Sequence, residues 1–306
     1  MDADPLGQND KDGPRKKTSS PAPLSFCPQK CYTGFQSFEG WFQPMNVNEI
    51  CLCMQAAERK AAKLMLRAHD VLAERKSGAR DVVTEYDRRV QELLIAELRA
   101  AVPEAHFFCE ELGEQEKLDS EHVFIIDPID GTMNFVRGFS HSCIAVAYAS
   151  YGKTLAAAVY NPYLDELFHA VRGGGAFLNG RPIHTAADDL EHSVVCFGTS
   201  PYRTDLAEKT FSLARKVFEH SLDLRREGTA ELDLCSVAAG RAGLSFELEL
   251  SLWDYAAGAL LVEEAGGVCL TAEGRPLPCS GEKSSVVAAA SPAVMDAFMT
   301  LAGELL

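Results

Sequence analysis

Val123-Phe124-Ile125-Ile126-Asp127-Pro128-Ile129-Asp130-Gly131-Thr132 is the most informative stretch of the chain. Its apolar start predicts a buried strand that runs straight into an acidic turn and then a short helix. Pro128 fixes its own φ and removes a donor, so the bend lets Asp127 and Asp130 face one cavity with the Ile129 carbonyl turned toward it. Oxygen ligands on a rigid turn suit Mg²⁺. The same residues also read as a plain surface turn, because Asp, Pro and Gly are common turn formers. Two further acidic sites weigh against that. Glu110 and Glu111 follow the apolar run Phe107-Phe108-Cys109, and Trp253-Asp254 open an apolar helix. Each is a carboxylate set at the end of a hydrophobic element, where a merely solvated charge has no need to be.

Upstream, Ile50, Met54, Ala57, Ala61, Leu64, Met65, Ala68 and Leu72 recur at helical spacing, with Asn48 placed to cap the start. A second helix is expected at about 87–100 and closed by Pro103, with the loop Arg75-Lys76-Ser77-Gly78-Ala79-Arg80-Asp81 between the two. Downstream, short β-branched and aromatic runs at 123–126, 143–151, 155–160, 166–171 and 176–178 are joined too closely for intervening helices. They describe an antiparallel sheet.

After residue 192 the order becomes strand 194–198, helix 205–217, strand 222–225, helix 229–239, strand 244–248, helix 253–265, strand 286–290 and a terminal helix. The expected organisation is an α+β half at 45–190 carrying most of the acidic site, and an α/β half at 191–306 completing it across a cleft. Residues 1–44 lack apolar periodicity and are expected to form a disordered tail. Phe35, Phe38, Trp41 and Phe42 give that tail the means to dock, and Met45 is an alternative natural start.

The net charge of −15 argues against nucleic acid or anionic lipid as partner, since both are held mainly by clustered Lys and Arg. An acidic chain that binds phosphate needs metal cations to do so. Ten scattered cysteines, several in apolar runs, read as reduced buried thiols. A zinc site from Cys27, Cys31, Cys51 and Cys53 is disfavoured, because Cys51 and Cys53 point to different sides of a helix. No signal peptide is visible, and charges interrupt every apolar run short of the roughly 20 residues of a membrane span. A cytoplasmic protein without membrane contact is the expectation.

Taken in order, Glu-Glu, Asp-Pro-Ile-Asp-Gly-Thr and Trp-Asp before an Ala/Gly-rich helix resemble the inositol monophosphatase family. The resemblance extends over 48–306 and includes Asp81-Val82-Val83-Thr84-Glu85-Tyr86-Asp87 and the run from Gly173 to Gly180. It implies a layered αβαβα sandwich, an antiparallel-sheet half with a smaller α/β half, and a homodimer. It implies that Glu110, Asp127 and the Ile129 carbonyl hold a first Mg²⁺, that Asp127, Asp130 and Asp254 hold a second, and that a loop with Lys76 and Asp81 helps with a weaker third. Glu110 and Thr132 would orient the attacking water, with Glu111 in support. Gly131 and Thr132 would offer backbone N–H groups to phosphate oxygens. Lithium sensitivity belongs to the same implication.

For the alcohol side, Gly228, Thr229, Ala230, Glu247 and Asp254 match positions that contact substrate hydroxyls. Glu247 is preferred to its neighbour Glu249, and its competing reading is a solvated strand end. Relatives with this carboxylate set act on inositol phosphates, fructose bisphosphate, histidinol phosphate, NADP or phosphoadenosine nucleotides. Asn134-Phe135 resembles the inositol side, whereas Met133 departs from the small hydroxyl residue often found there. Two readings from other classes remain: a protein-docking regulatory module that keeps the fold, and a phosphatase with an aspartyl-phosphate intermediate. The spacing of three between Asp127 and Asp130 disfavours the latter. His141, His169 and His184 are assigned no catalytic part.

Overall fold

The computed structural model describes residues 45–306 apart from 70, 79, 80, 114, 304 and 306; for 76–78 and 81 it describes the backbone alone. The expected tail, with Cys27 and Cys31, lies outside these residues. In chain order the elements begin with α1 (Val47–Leu66), β1 (Ala73–Gly78), β2 (Asp81–Thr84), α2 (Glu85–Ala101), β3 (His106–Cys109), β4 (Val123–Asp130) and α3 (Thr132–Arg137). Strands β5 (Cys143–Ser150), β6 (Lys153–Asn161), β7 (Glu166–Val171), β8 (Ala176–Leu178), β9 (Arg181–Ile183) and β10 (Val194–Phe197) follow. The chain continues with α4 (Ala207–Phe218), β11 (Asp223–Arg225), α5 (Ala230–Ala238), β12 (Leu244–Leu250), α6 (Ala256–Glu264), β13 (Val268–Leu270), β14 (Ser284–Ala289) and α7 (Pro292–Ala302).

Three apolar clusters stack these elements into five layers, α, β, α, β, α. Helices α1 and α2 bury Met54, Ala61, Val90 and Leu94 against Phe124, Ile126, Val146 and Ala158 of a seven-stranded sheet ordered β3-β4-β5-β6-β7-β8-β9. The opposite face of that sheet is lined by small residues, Ala145, Ala147, Ala157 and Ala170, which let α5 and α6 lie close with Leu234, Val237, Leu260 and Leu261. A five-stranded sheet ordered β11-β10-β12-β14-β13 covers the far side of those helices. Its outer face takes α4 and α7 through Leu213, Val217 and Phe298 against Phe246 and Val287. Each such buried Leu, Val or Phe contributes about 1.5–3 kcal/mol of transfer free energy.

Several expectations are corrected in detail. The first helix is capped by Asn46, whose side chain accepts from the Glu49 N–H while Glu49 returns a bond to the Asn46 N–H; Asn48 sits inside the first turn. Helix α2 starts earlier than expected, at Glu85, because Thr84 and Asp87 close the same reciprocal capping box. The expected loop between these helices is an antiparallel hairpin of β1 with β2. The first sheet is antiparallel throughout except that β3 runs parallel to β4, and the second sheet is mixed. Glu247 lies within β12, paired with Val286, and does not end the strand.

Candidate active site

Strand β4 supplies the centre of the site. All eight of its residues are buried, which removes the surface-turn reading of the acidic motif. In a regular strand, positions three apart point to opposite faces. Here Asp127 pairs with Ala145 and Asp130 with Cys143, so three steps on β4 span two on β5, and this bulge returns both carboxylates to one side. The Asp127 carboxylate accepts from the Ile129 N–H at 3.0 Å. The Glu110 N–H donates to the Ile126 carbonyl at 3.2 Å, extending the parallel β3–β4 ladder by one residue and setting Glu110 beside the turn.

Gly131 ends the strand with φ +83°, and a Cβ there would stand 2.7 Å from Thr229 Cγ2. That close approach brings β4 against the start of α5. Asp130 then accepts from the Ala230 N–H at 3.3 Å and the Glu231 N–H at 2.8 Å, at the positive end of the helix. Asn134 locks the junction by donating to the carbonyls of His141 at 2.8 Å and Glu227 at 2.7 Å. The Thr132 hydroxyl lies 3.1 Å from the Ile129 carbonyl and 3.2 Å from an Asp87 carboxylate oxygen. Asp254, at the end of a short 3₁₀ turn, accepts from the Ser251 N–H at 2.7 Å.

These groups surround one cavity of about 430 Å³. Glu110, Asp127, Ile129, Asp130 and Asp254 line it, and so do Gly131, Thr132, Gly228, Thr229, Ala230 and Glu247. The hairpin reaches its edge through Val82, whereas the side chains of Lys76 and Asp81 lie outside the described residues. Glu111 is not among the lining groups; its N–H donates to Gln91 at 2.9 Å. Glu247 is half-buried and accepts from both the N–H and the hydroxyl of Ser200, at 2.7 and 3.1 Å. Its carboxylate lies flat on Gly198, where a Cβ would stand 1.8 Å from Oε2. Glu249 turns away to Arg203 and Lys283.

The electrostatics follow from the crowding. Burial holds the Asp127 carboxyl well above the usual carboxylate range, reinforced by Glu110, Asp130, Asp254 and Asp87. Burial pushes Asp130 up to about 7 against the pull of its two backbone donors. Asp254 is raised by burial and then by Glu110 and Asp130. The donor set is all oxygen and carries more negative charge than its surroundings balance, which fits a hard divalent cation. As placed, no three acidic, His or Cys groups among the described residues converge into a ready-made ion cage.

Sequence reasoning passed over Arg226, Tyr202 and Asp233, which also line the cavity. Arg226 stands two residues before Gly228, close enough to that motif to have been found. Asp233 lies one turn beyond Ala230 on α5 and is buried with Oδ1 bonded to nothing among the described residues; its helical phase was the available signal.

The sequence profile of the inositol monophosphatase family matches residues 47–305. The chain belongs to that family. Within it, the chain is 38% identical to the Nus factor SuhB of Escherichia coli over 69% of this chain and 81% of that protein. It is 41% identical to the inositol-1-monophosphatase of Rhizobium meliloti over 69% of this chain and 79% of the other. The crystal structure of extragenic suppressor protein suhB from Bartonella henselae superposes with a TM-score of 0.78 at 33% identity, covering 84% of this chain and all (100%) of that one. An IMPase/NADP phosphatase solved with Mg²⁺ and phosphate has a TM-score of 0.71 at 25% identity, covering 83% of this chain and 93% of its own. The expected layered fold is that of this family, and phosphatase chemistry is its common ground. No helix among the described residues is long and apolar enough to cross a membrane.

Proposed function

We propose that the chain is a Mg²⁺-dependent phosphomonoesterase acting on inositol-1-phosphate or a similar small polyol phosphate. The observation that carries this reading is that Glu110, Asp127, Asp130 and Asp254, drawn from three separate stretches of sequence, line one cavity together with the 228–230 segment and Glu247. Glu110, Asp127 and the Ile129 carbonyl would hold one ion, and Asp127, Asp130 and Asp254 a second. Bound there, the cations would offset phosphate charge and lower the pKa of a coordinated water toward neutrality.

The chain's own groups supply the rest. Thr132 already has its hydroxyl between the Ile129 carbonyl and Asp87, a position from which it can hold a water in line with the phosphorus while Glu110 accepts the proton. Gly131 lets the backbone approach phosphate oxygens without a side chain intervening. Glu247, oriented by Ser200 and backed by Gly198, would accept from a substrate hydroxyl, and Asp254 would do so from the other end of the diol. Fructose-1,6-bisphosphatase, histidinol-phosphatase and NADP phosphatase activities are the alternatives on the same scaffold.

A phosphate-release screen over inositol-1-phosphate, fructose-1,6-bisphosphate, histidinol phosphate, NADP and phosphoadenosine phosphate tests this. Turnover in Mg²⁺ that vanishes in EDTA is the expected result. Release that persists undiminished in EDTA would reject it.

A second reading, a docking module for the transcription machinery, is favoured by the 38% identity to a Nus factor. It predicts that Asp127→Asn abolishes turnover yet leaves partner capture intact. A homodimer is proposed from the family alone, and sedimentation at micromolar concentration checks it.

A further inference from the structure

We propose that Glu231 is a positioning residue for the second cation: its buried carboxyl ties the start of α6, and with it Asp254, to the backbone that holds Asp130. This rests on the phosphatase reading above and adds to it a residue outside the proposed ligand set. A carboxyl buried between helices is costly unless its oxygens are bonded. Glu231 lies fully buried on α5, and both of its oxygens are bonded. Oε1 accepts from the Ala257 N–H at 3.2 Å and Oε2 from the Gly258 N–H at 2.6 Å, both in the first turn of α6. The first N–H groups of a helix have no partner within it. In α6 the preceding residue, Tyr255, makes no capping side-chain bond among the described residues. Glu231 supplies the cap from a different helix, at the end where the helix dipole favours an acidic group.

The packing is shaped for this contact. A Cβ at Gly258 would stand 2.5 Å from Leu234 Cβ and 2.6 Å from Glu231 Oε2, so a glycine there is what lets α5 and α6 come close enough for the bond. The backbone of the same residue forms the other end of the link. The Glu231 N–H donates to Asp130 at 2.8 Å, beside that of Ala230 at 3.3 Å. Thr229 steadies these two peptides by accepting from the Leu232 N–H at 3.2 Å. Asp254 closes the 3₁₀ turn that leads into α6, with Tyr255 between. One residue therefore joins Asp130 to Asp254: its peptide orients the first carboxylate, and its side chain fixes the helix start behind the second. With Asp127 these are the groups assigned to the second cation, and Mg²⁺ demands near-ideal octahedral geometry of its ligands. The oxygens of a carboxyl can accept whether or not it carries a proton, so the link does not depend on charge.

The test uses the full chain stripped with EDTA and Mn²⁺ as the probe, an ion that suits the same oxygen donors as Mg²⁺ and whose free fraction is read by electron paramagnetic resonance. The wild type is expected to take up two ions or more. In Glu231→Ala one dissociation constant should rise about tenfold or more while another stays within about threefold, the loss typical of a group that orients metal ligands. Glu231→Gln keeps the size and one carbonyl oxygen, so its shift should fall between wild type and Glu231→Ala; it decides the matter if the alanine variant does not fold. In both variants kcat should return to within a few-fold of wild type once Mg²⁺ is raised to saturation, which a general loss of structure would not allow. Glu58→Leu removes an equally buried carboxyl that bonds nothing among the described residues, and it should leave the constants unchanged. Unchanged constants in the Glu231 variants, a kcat that stays low at saturating Mg²⁺, or an equal rise in Glu58→Leu would overturn the proposal and leave the phosphatase reading in place. A wild type that binds no Mn²⁺ would overturn both.

Discussion

Asp127 concentrates the chemistry of the site in one side chain, as the proposed bridge between ions and the group most crowded by other carboxylates. Asp127→Asn keeps its size and its bond from the Ile129 N–H, so the fold should survive while turnover falls by more than about 100-fold, beyond the usual effect of losing a supporting group around a metal. Steady-state kinetics beside a circular dichroism melt check this; activity within a few-fold of wild type would reject the two-ion scheme. Glu58 makes the opposite case, a carboxylate with no part in the site. It is fully buried on α1, neither oxygen has a hydrogen-bond partner among the described residues, and burial, with Glu231 adding to it, holds its carboxyl well above the usual range. A carboxyl raised in the folded state contributes stability below its unfolded value and loses it as pH climbs through the folded one. Glu58→Leu should therefore stabilise the protein by roughly 1–3 kcal/mol near pH 8, the cost of an unsatisfied buried polar group. The gain should shrink toward pH 5, and denaturant melts at the two pH values measure it.

At the scale of the element, the bulge on β4 and the Gly228-Thr229-Ala230 segment that leads into α5 explain why the candidate site could be read from short motifs. The acidic turn, Asp254 and the Gly-Thr-Ala start of α5 are short motifs in which backbone shape and chemistry coincide, and all three line the same cavity, although the Trp-Asp pair sits in a 3₁₀ turn ahead of α6 rather than inside the expected helix. What escaped was set by tertiary context. A parallel β3–β4 pair cannot be told from an antiparallel one by residue pattern, and the β1–β2 hairpin is built from Ala-Glu-Arg-Lys-Ser-Gly, a run with little strand character of its own. Glu247 was expected near the end of a strand over 244–248, whereas β12 runs on to Leu250; the register slip between those two residues is invisible in sequence. The end of β10 offers a test of element geometry. Gly198→Ala would place a Cβ on the Glu247 carboxylate, forcing that side chain to move while the strand itself can persist. KM for a polyol phosphate should rise about tenfold or more with a smaller change in kcat, since a binding contact is misplaced. An unchanged KM would remove Glu247 from the alcohol site.

At the scale of the whole molecule, the five layers bring two sheets to either side of α5 and α6, and the cavity draws on both: β4 and Glu110, just past β3, from the larger sheet, β12 from the smaller. A cation held by Glu110, Asp127, Asp130 and Asp254 would tie the 110 and 127–130 stretches to the turn that opens α6. Binding to the folded chain alone then appears as stability, by about 2.7 kcal/mol at a ligand concentration 100 times the dissociation constant. Thermal melts of protein stripped with EDTA should accordingly rise in steps as Mg²⁺ is added, and Asp127→Asn should blunt the rise. Because this readout needs no substrate, it separates a site that binds metal from one that turns over. Lithium should lower turnover in the same Mg²⁺ titration. A melting temperature indifferent to Mg²⁺ at millimolar concentration, together with undiminished phosphate release in EDTA, would leave the acidic cavity without the ions proposed for it.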